Sequence, residues 1–244
     1  MNASEKYIGI IRQLIDSVES SQMDAIEKAA RLTSEALDGG GYVFTFGTGH
    51  SHILAEEIFY RAGGLAKVYP ILEDSLMLHK AAARSSALER MTGFASALLD
   101  DIDAVKDGGV MFLFSNSGCN TVAIEMAQEA KKRGLSSVCI TNVTHSARMT
   151  SRHPEGLKLM DVCDVVIDNK GCYGDAAVDI DGTMTGPTST VIGAMIMEAI
   201  VCRAAEISVQ NGVKPEVFAS ANTAGGDEKN AGIIAKYKPI VKPL

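Results

Sequence analysis

The sequence predicts an α/β protein in which a parallel sheet of five strands lies between two helical layers. This is a three-layer α-β-α sandwich, here with an N-terminal helical extension. Three observations support the prediction. Short apolar runs alternate with longer segments whose apolar residues recur at helical spacing. The runs are continuously apolar, as expected for strands covered on both faces. Two of them end in short turns rich in glycine and hydroxyl-bearing residues.

The N-terminal region carries two helical patterns. Apolar residues at helical spacing predict a helix over residues 3–20, and Ser20 and Ser21 interrupt the pattern. A second helix is predicted over residues 26–37, ended by the glycines at 39–41. The first helix has two equal interpretations, a contact between subunits or packing on its own domain.

A strand over residues 42–46 leads directly into a loop of small and polar residues. This first loop consists of Gly47, Thr48, Gly49, His50 and Ser51. The apolar residues after the loop predict a helix, and a second strand is expected over residues 67–72. Residues 73–101 are predicted to be mostly helical.

The stretch over residues 109–132 has the same design and organises the chain. Residues 110–114 form a continuous apolar strand, and apolar residues from Val122 onward have helical spacing. Between them lies a second turn, formed by Ser115, Asn116, Ser117 and Gly118. It presents hydroxyls and free backbone N–H groups at a helix start, which is typical of an anion site. An ordinary turn whose serines only cap the helix gives the same pattern.

The alternation continues beyond this helix. Two more buried strands are predicted over residues 136–140 and 164–168. Between them we expect a surface loop over residues 144–156, which contains a proline, and one or two helical turns over 157–162.

The last part of the chain is less regular. Residues 170–186 are rich in glycine and aspartate and are predicted to be irregular. Pro187 suits the first position of a helix, and apolar residues lie almost all round the helix over 189–209, as in a buried helix. A short helix ending at Lys236 is expected in the tail.

No internal repeat or linker interrupts the chain, so a single domain is expected over residues 1–244. Its core is expected over about residues 25–210, with the helix over 3–20 before it and a tail over 211–244 after it. With 46% hydrophobic residues, a chain of this length has enough apolar side chains for one large core.

Composition argues against several classes of partner. The net charge is −7, tryptophan is absent and no basic tract occurs, so no nucleic-acid-binding surface is expected. No apolar run is long enough for a membrane helix, and the N-terminus lacks a signal-peptide pattern. The five cysteines are odd in number and form no CxxC pair, which is typical of a reduced, cytoplasmic chain.

The two turns are predicted to face one crevice, because all strand carboxyl ends of a parallel sheet lie along one edge. Together they bring several groups that can donate to a phosphate oxygen. These are Thr48, Ser51, Ser115, Ser117, Asn120 and Thr121. A small phosphorylated ligand is therefore expected. The GxGxxG and Walker patterns are absent, which argues against dinucleotides and nucleoside triphosphates.

Candidate acid/base residues lie close to the first loop. Glu56 and Glu57 fall in the helix after it, where a carboxylate can move a proton between adjacent sugar carbons, although both positions are also compatible with solvent. His79 is either a second acid/base group or a surface histidine. His50 and His52 are two residues apart, a poor spacing for zinc on a helix. Hydrogen bonding of a loop histidine to ligand hydroxyls is favoured, and no metal or cofactor is expected.

The segments GTGHSH, SNSGCNT, CITN and DVCDVVID resemble those of the SIS (sugar isomerase) family of phosphosugar-binding domains. The resemblance covers about residues 25–210. The layout of the whole chain is also similar to that of bacterial SIS proteins related to phosphoheptose isomerase. It implies a five-stranded α-β-α sandwich that forms a homodimer or homotetramer, with sites near the subunit interfaces. It also implies that the second turn holds the sugar phosphate, together with Ser51.

The resemblance implies catalytic roles as well. Phosphoheptose isomerases carry a catalytic Glu in the helix after the first loop. Glu57 resembles it but lies about one helical turn closer to Ser51. Two features depart from the family pattern. Asn120 stands where the phosphate turn usually has Ser or Thr, and no histidine follows His153, whereas those enzymes use one in the late helix.

These observations favour an aldose–ketose isomerase acting on a sugar phosphate, with Glu57 as the base and His79 as its partner. Two alternatives stay open: a lyase or etherase acting on an amino-sugar phosphate, and a non-catalytic phosphosugar sensor. A transcriptional regulator is disfavoured, because no DNA-binding segment accompanies the domain.

Overall fold

The fold is built around a parallel five-stranded sheet, as the sequence predicts. The computed structural model describes every residue, Met1–Leu244. The strands are β1 (Tyr42–Gly47), β2 (Val68–Ile71), β3 (Gly109–Phe114), β4 (Ser136–Thr141) and β5 (Val165–Asp168). They lie in the order β2-β1-β3-β4-β5, and every neighbouring pair is parallel.

Strand β3 lies at the centre of the sheet and is buried on both faces. Its register pairs Phe114 with Gly47 of β1 and with Ile140 of β4, so these strands end at one edge. Leu113 packs into the core on one face of the sheet and Phe112 into the core on the other. Burial on both sides explains why the strand reads as a continuous apolar run.

Nine α-helices surround the sheet. They are α1 (Ala3–Asp38), α2 (His52–Glu57), α3 (Leu78–Leu88), α4 (Phe94–Asp100), α5 (Thr121–Lys132), α6 (Val143–Arg148), α7 (Leu159–Val162), α8 (Ser189–Gln210) and α9 (Gly226–Tyr237). Helices α1, α2 and α8 build the core on one face, and α4, α5, α7 and α9 build it on the other. The sheet and its two helical layers form the predicted sandwich.

Helix α1 is continuous over 36 residues, so the predicted break at Ser20 and Ser21 is wrong. Both hydroxyls donate to the main-chain carbonyl of Ser17, at 3.2 and 2.6 Å. Serine side chains that bond back onto the preceding turn are satisfied without ending the helix. The helix starts at a capping box formed by Asn2 and Glu5. The two predicted N-terminal helices are therefore a single element.

The segment over residues 73–101 is mostly helical, as predicted, with interruptions at two points. Ala81 has non-helical backbone angles inside α3, and Gly93 has a φ of 79° just before α4. Glycine adopts this left-handed conformation without a steric penalty. The chain therefore changes direction between α3 and α4.

The prediction of irregular structure over residues 170–186 is wrong from residue 176 onward. This segment holds an antiparallel hairpin of β6 (Ala176–Ile180) and β7 (Thr183–Pro187). Most residues of the hairpin are exposed or half-buried, so no apolar run marks it in the sequence.

Two boundaries are also corrected. Pro187 is the last residue of β7 and not the first residue of a helix, because α8 begins at Ser189 after Thr188. The predicted loop over residues 144–156 starts inside α6.

The other predicted elements are confirmed, with small shifts at their ends. Helix α7 falls within the predicted helical turns at 157–162, and α9 ends at Tyr237, one residue after the predicted end. All five cysteines are free thiols. None of the helices combines the length and apolar character that a membrane span requires.

Candidate functional site

The first loop and the second turn meet at the carboxyl edge of the sheet. Residues from both line one small cleft at this edge. The residues of this edge cleft are His50, Ser51, Leu54, Ser115, Asn116, Ile140, Asn169, Ser189 and Thr190. Hydroxyl and amide groups dominate its polar lining, and none of its residues is Asp or Glu. The cleft therefore offers donors to an anion and no carboxylate that repels it.

Two of the four amides in the second turn are used within the chain. Ser115 N donates to Ile140 O at 3.3 Å, and Gly118 N donates to Ser115 Oγ at 3.1 Å. The N–H groups of Asn116 and Ser117 have no acceptor in the chain. These are free amides of the kind that an anion site uses.

A glycine shapes the second turn. Gly118 has a φ of +60°, and a Cβ at this position would lie 3.0 Å from Ser146 Oγ and 3.1 Å from Thr141 Oγ1. A side chain here would therefore be both strained and crowded. The glycine allows the chain to turn against the sheet edge before α5 begins.

Helix α5 directs its amino end toward the second turn. The N–H groups of Cys119 and Asn120, just before the helix, donate to no acceptor in the chain. The positive end of the helix dipole therefore lies next to the edge cleft. The side chains of Asn120 and Thr121 are engaged elsewhere: Asn120 Oδ1 accepts from Arg152 Nη1 at 2.9 Å, and Thr121 Oγ1 donates to Arg152 O at 3.0 Å. Neither residue lines the cleft.

The first loop folds tightly and contributes to the cleft from the other side. Ser51 N donates to Thr48 O at 3.0 Å, and Gly49 takes a φ of 57°. The Ser51 hydroxyl forms no hydrogen bond within the chain, and His50 is exposed. Thr48 differs, since its hydroxyl donates to Glu89 Oε2 at 2.6 Å.

Three polar cleft residues escaped the sequence prediction: Asn169, Ser189 and Thr190. Asn169 directly follows β5, so the rule that groups strand carboxyl ends at one edge also points to it. Its Nδ2 donates to Asn116 Oδ1 at 2.9 Å and so orients Asn116. Ser189 and Thr190 begin α8. No sequence motif predicts that they belong to the site, because their position at the cleft depends on how α8 packs on α1.

The start of α8 is held by Asp175. Its Oδ1 accepts from the N–H groups of Thr188 and Ser189 at 2.9 and 2.8 Å, and its Oδ2 accepts from Ser189 Oγ at 2.6 Å. An acidic side chain at a helix amino end satisfies free N–H groups and complements the dipole. This contact fixes the position of Ser189 in the cleft.

Glu57 does not line the edge cleft. It ends α2, six residues after Ser51 and about 9 Å further along at the rise of an α-helix. Its carboxylate forms an ion pair with Arg61, which also lies 3.2 Å from Glu198 Oε1 of α8. Within one subunit, a guanidinium therefore neutralises the predicted base.

Glu198 is poorly compensated in this cluster. Its Oε1 is buried and has no hydrogen-bond partner, because Arg61 Nη1 at 3.2 Å is not aligned to donate to it. Burial raises the pKa of Glu198, the nearby Glu57 carboxylate raises this pKa further, and Arg61 opposes both. A carboxyl with a raised pKa binds its proton more tightly in the folded state. Stability therefore falls as the pH rises from the unfolded pKa through the folded one.

Glu198→Gln is accordingly expected to raise the Tm at pH 7, and to lose this advantage at about pH 3.5, below the ordinary pKa of glutamate. Thermal unfolding across this pH range measures the effect. Glu35→Gln, at an exposed position of α1, is the matched control and should leave the Tm nearly unchanged. A lower Tm for Glu198→Gln at pH 7 would mean that the contact with Arg61 outweighs the cost of burial.

His79 lies beside the first loop and outside the edge cleft. It is exposed in α3, and its ring centroid is 5.9 Å from that of the buried His52. The Nδ1 atom of His52 contacts the main-chain oxygen of Gly49. No group of three or more His, Cys, Asp or Glu side chains is arranged to hold a metal ion.

The fold and the cleft define the class of the protein. It is a parallel α/β sandwich whose edge cleft lies outside the carboxyl ends of the strands. The family model described as SIS domain matches residues 6–142, more than half of the chain. The chain therefore belongs to the SIS domain family.

Relatives with known sequences and structures agree with this placement. The UPF0309 protein of Geobacillus thermodenitrificans strain NG80-2 is 43% identical over 242 residues, which is 98% of this chain and 97% of the relative. Phosphoheptose isomerase GmhA from Neisseria gonorrhoeae has a TM-score of 0.50 at 15% identity, over 83% of this chain and 95% of that one. A protein of E. coli CFT073 has a TM-score of 0.53 at 16% identity, over 86% of this chain and 94% of that one. At these identities the two solved structures establish a shared fold.

Proposed function

We propose that this protein binds the phosphate group of a sugar phosphate in the edge cleft. The observation that carries the proposal is that Ser51, Ser115 and Asn116 line one cleft that lacks carboxylates. The free amides of Asn116 and Ser117 and the amino end of α5 add donors for a dianion. Recognition by N–H and hydroxyl groups is compatible with the negative net charge of the chain.

Replacing Ser51 tests the binding site. Ser51→Ala is expected to weaken the binding of inorganic phosphate, and of any sugar phosphate that the unmodified protein binds, by about tenfold or more. The reason is that a hydrogen bond to a charged group contributes about 1.5–3 kcal/mol. Isothermal titration calorimetry measures both affinities. Ser4→Ala, exposed near the start of α1, is the control and should bind like the unmodified protein. Unchanged affinity in Ser51→Ala would remove the first loop from the site.

We also propose that the bound sugar phosphate undergoes aldose–ketose isomerisation. In this reaction a base removes the proton from C2 of the open-chain aldose, and a proton is then delivered to C1. Membership of the SIS domain family and the fold shared with a phosphoheptose isomerase support the proposal. The sequence prediction assigns Glu57 as the base and His79 as its partner.

Incubation with a panel of sugar 5-, 6- and 7-phosphates in deuterated water tests the reaction. We expect deuterium at C2 of at least one sugar, detected by NMR. Binding without exchange across the panel would contradict the isomerase and favour a phosphosugar sensor. Release of lactate from a muramic acid phosphate would instead favour an etherase.

We further propose that the protein works in the cytoplasm as a homodimer or homotetramer, as its resemblance to the SIS family implies. Size-exclusion chromatography with light scattering distinguishes these assemblies. A mass of one subunit at all concentrations would contradict the assembly.

A further inference from the structure

A carboxylate that no motif marks reaches the first loop. Glu89 follows the last residue of α3. Its Oε2 accepts from Thr48 Oγ1 at 2.6 Å, and its main-chain oxygen accepts from Val122 N, in the first turn of α5, at 3.1 Å. Glu89 therefore joins the first loop to the amino end of α5, which are two parts of the proposed phosphate site.

Glu89 and Glu57 differ in how their charges are compensated. The carboxylate of Glu57 forms an ion pair with Arg61. Glu89 forms no ion pair, and its side chain accepts one hydrogen bond, from the neutral hydroxyl of Thr48. A half-buried carboxylate held by a single hydroxyl is positioned yet retains lone pairs that can accept a proton.

Glu89 lies outside the edge cleft but contacts the loop that lines it. A base inside the edge cleft would repel the phosphate dianion, whereas Glu89 does not line the cleft. It lies on the Thr48 side of the first loop, and Ser51 reaches the cleft from the same loop. Thr48 and Ser51 are three residues apart, so the Glu89 carboxylate and the edge cleft lie at neighbouring parts of one loop.

We propose that Glu89, rather than Glu57, transfers the proton between C2 and C1 of the sugar phosphate. This inference rests on the proposed isomerase. The carboxylate takes the C2 proton, the electron pair of that C–H bond forms the C1–C2 double bond, and the carbonyl oxygen at C1 becomes the enediolate oxygen. Protonated Glu89 then returns a proton to C1, while the proton of the C2 hydroxyl passes through solvent to the C1 oxygen and the C2 carbonyl forms. No oxidant or reductant is needed.

Three charge-removing variants, tested with the sugar phosphate that the unmodified protein exchanges, examine the proposal. Glu89→Gln is expected to lower the rate of C2 deuterium exchange by about 100-fold or more, the usual contribution of a positioned acid or base. Its affinity for inorganic phosphate, measured by calorimetry, should stay the same or increase. Glu35→Gln removes the same charge at an exposed position of α1 and is the control, with an unchanged rate. Glu57→Gln tests the rival base.

Each outcome decides between the proposals. Exchange retained in Glu89→Gln, or lost only in Glu57→Gln, overturns the role of Glu89 and leaves the isomerase standing. Binding without exchange in the unmodified protein overturns the isomerase and this inference with it. No binding of phosphate or of any sugar phosphate overturns the binding site itself.

The hydrogen bond from Thr48 provides a separate test of positioning. Thr48→Val removes the hydroxyl that holds Glu89 and is expected to lower the exchange rate by about tenfold, with phosphate affinity little changed. Thr48→Ser restores the hydroxyl and should restore the rate. A rate that falls equally in both variants would show that Thr48 acts through packing and not through Glu89.

Discussion

Replacing Gly47 with alanine is expected to abolish measurable phosphate binding in a protein that still folds. A Cβ on Gly47 would lie 2.5 Å from the main-chain oxygen of Ser51 and 3.0 Å from the backbone N of His52. These are backbone atoms, so the first loop itself must move, and Ser51 moves with it. Overpacking of this kind costs about 1–3 kcal/mol. In a chain of this size that lowers the Tm by about 2–12 °C.

Calorimetry with inorganic phosphate and thermal unfolding together check the effect of Gly47→Ala. Gly232→Ala is the matched control, because a Cβ there meets no atom within 4 Å. In α9 the extra methyl group should leave binding unchanged and slightly raise stability, since alanine favours helix over glycine. Normal phosphate affinity in Gly47→Ala would mean that the loop can relax without displacing Ser51.

Replacing Phe112 with alanine is expected to cause the largest loss of stability. The side chain is fully buried in β3, on the face of the sheet covered by α1 and α8. Removing a buried phenylalanine costs about 3–5 kcal/mol, because the cavity left behind closes only in part. The Tm should therefore fall by about 6–20 °C.

Denaturant unfolding measures this loss directly. Phe112→Leu retains most of the buried volume and is expected to cost roughly half as much or less. A loss below about 1 kcal/mol for Phe112→Ala would show that neighbouring helices collapse into the cavity.

The framework of the site could be predicted from the sequence because its signals are local. A buried strand followed by a small, polar turn and a helix places the turn at one edge of a parallel sheet, wherever it occurs along the chain. The rule places Ser51 and Ser115 in one cleft from sequence alone. It applies equally to Asn169, which stands directly after β5 but lacks a glycine-rich turn to mark it.

Other parts of the site depend on contacts between segments distant in sequence. Glu89 meets Thr48 across 41 positions, so no spacing or motif connects them. The position of Glu57 after the first loop predicts a catalytic base. Its ion pair with Arg61, and the contact of Arg61 with Glu198 of α8, are found only in the folded structure. The break predicted at Ser20 and Ser21 is wrong for a local reason. Both hydroxyls bond to the main chain of their own helix, and the spacing of apolar residues does not reveal such bonds.

By itself, the amino-acid sequence determined the layered α/β architecture and the two turns that face a common edge. Both follow from the alternation of apolar runs with glycine and serine, which acts over a few residues. Only the tertiary structure decided which carboxylate lies beside the first loop and which is neutralised. Charge compensation depends on distances of a few ångströms between side chains, and folding brings those side chains together from remote parts of the chain.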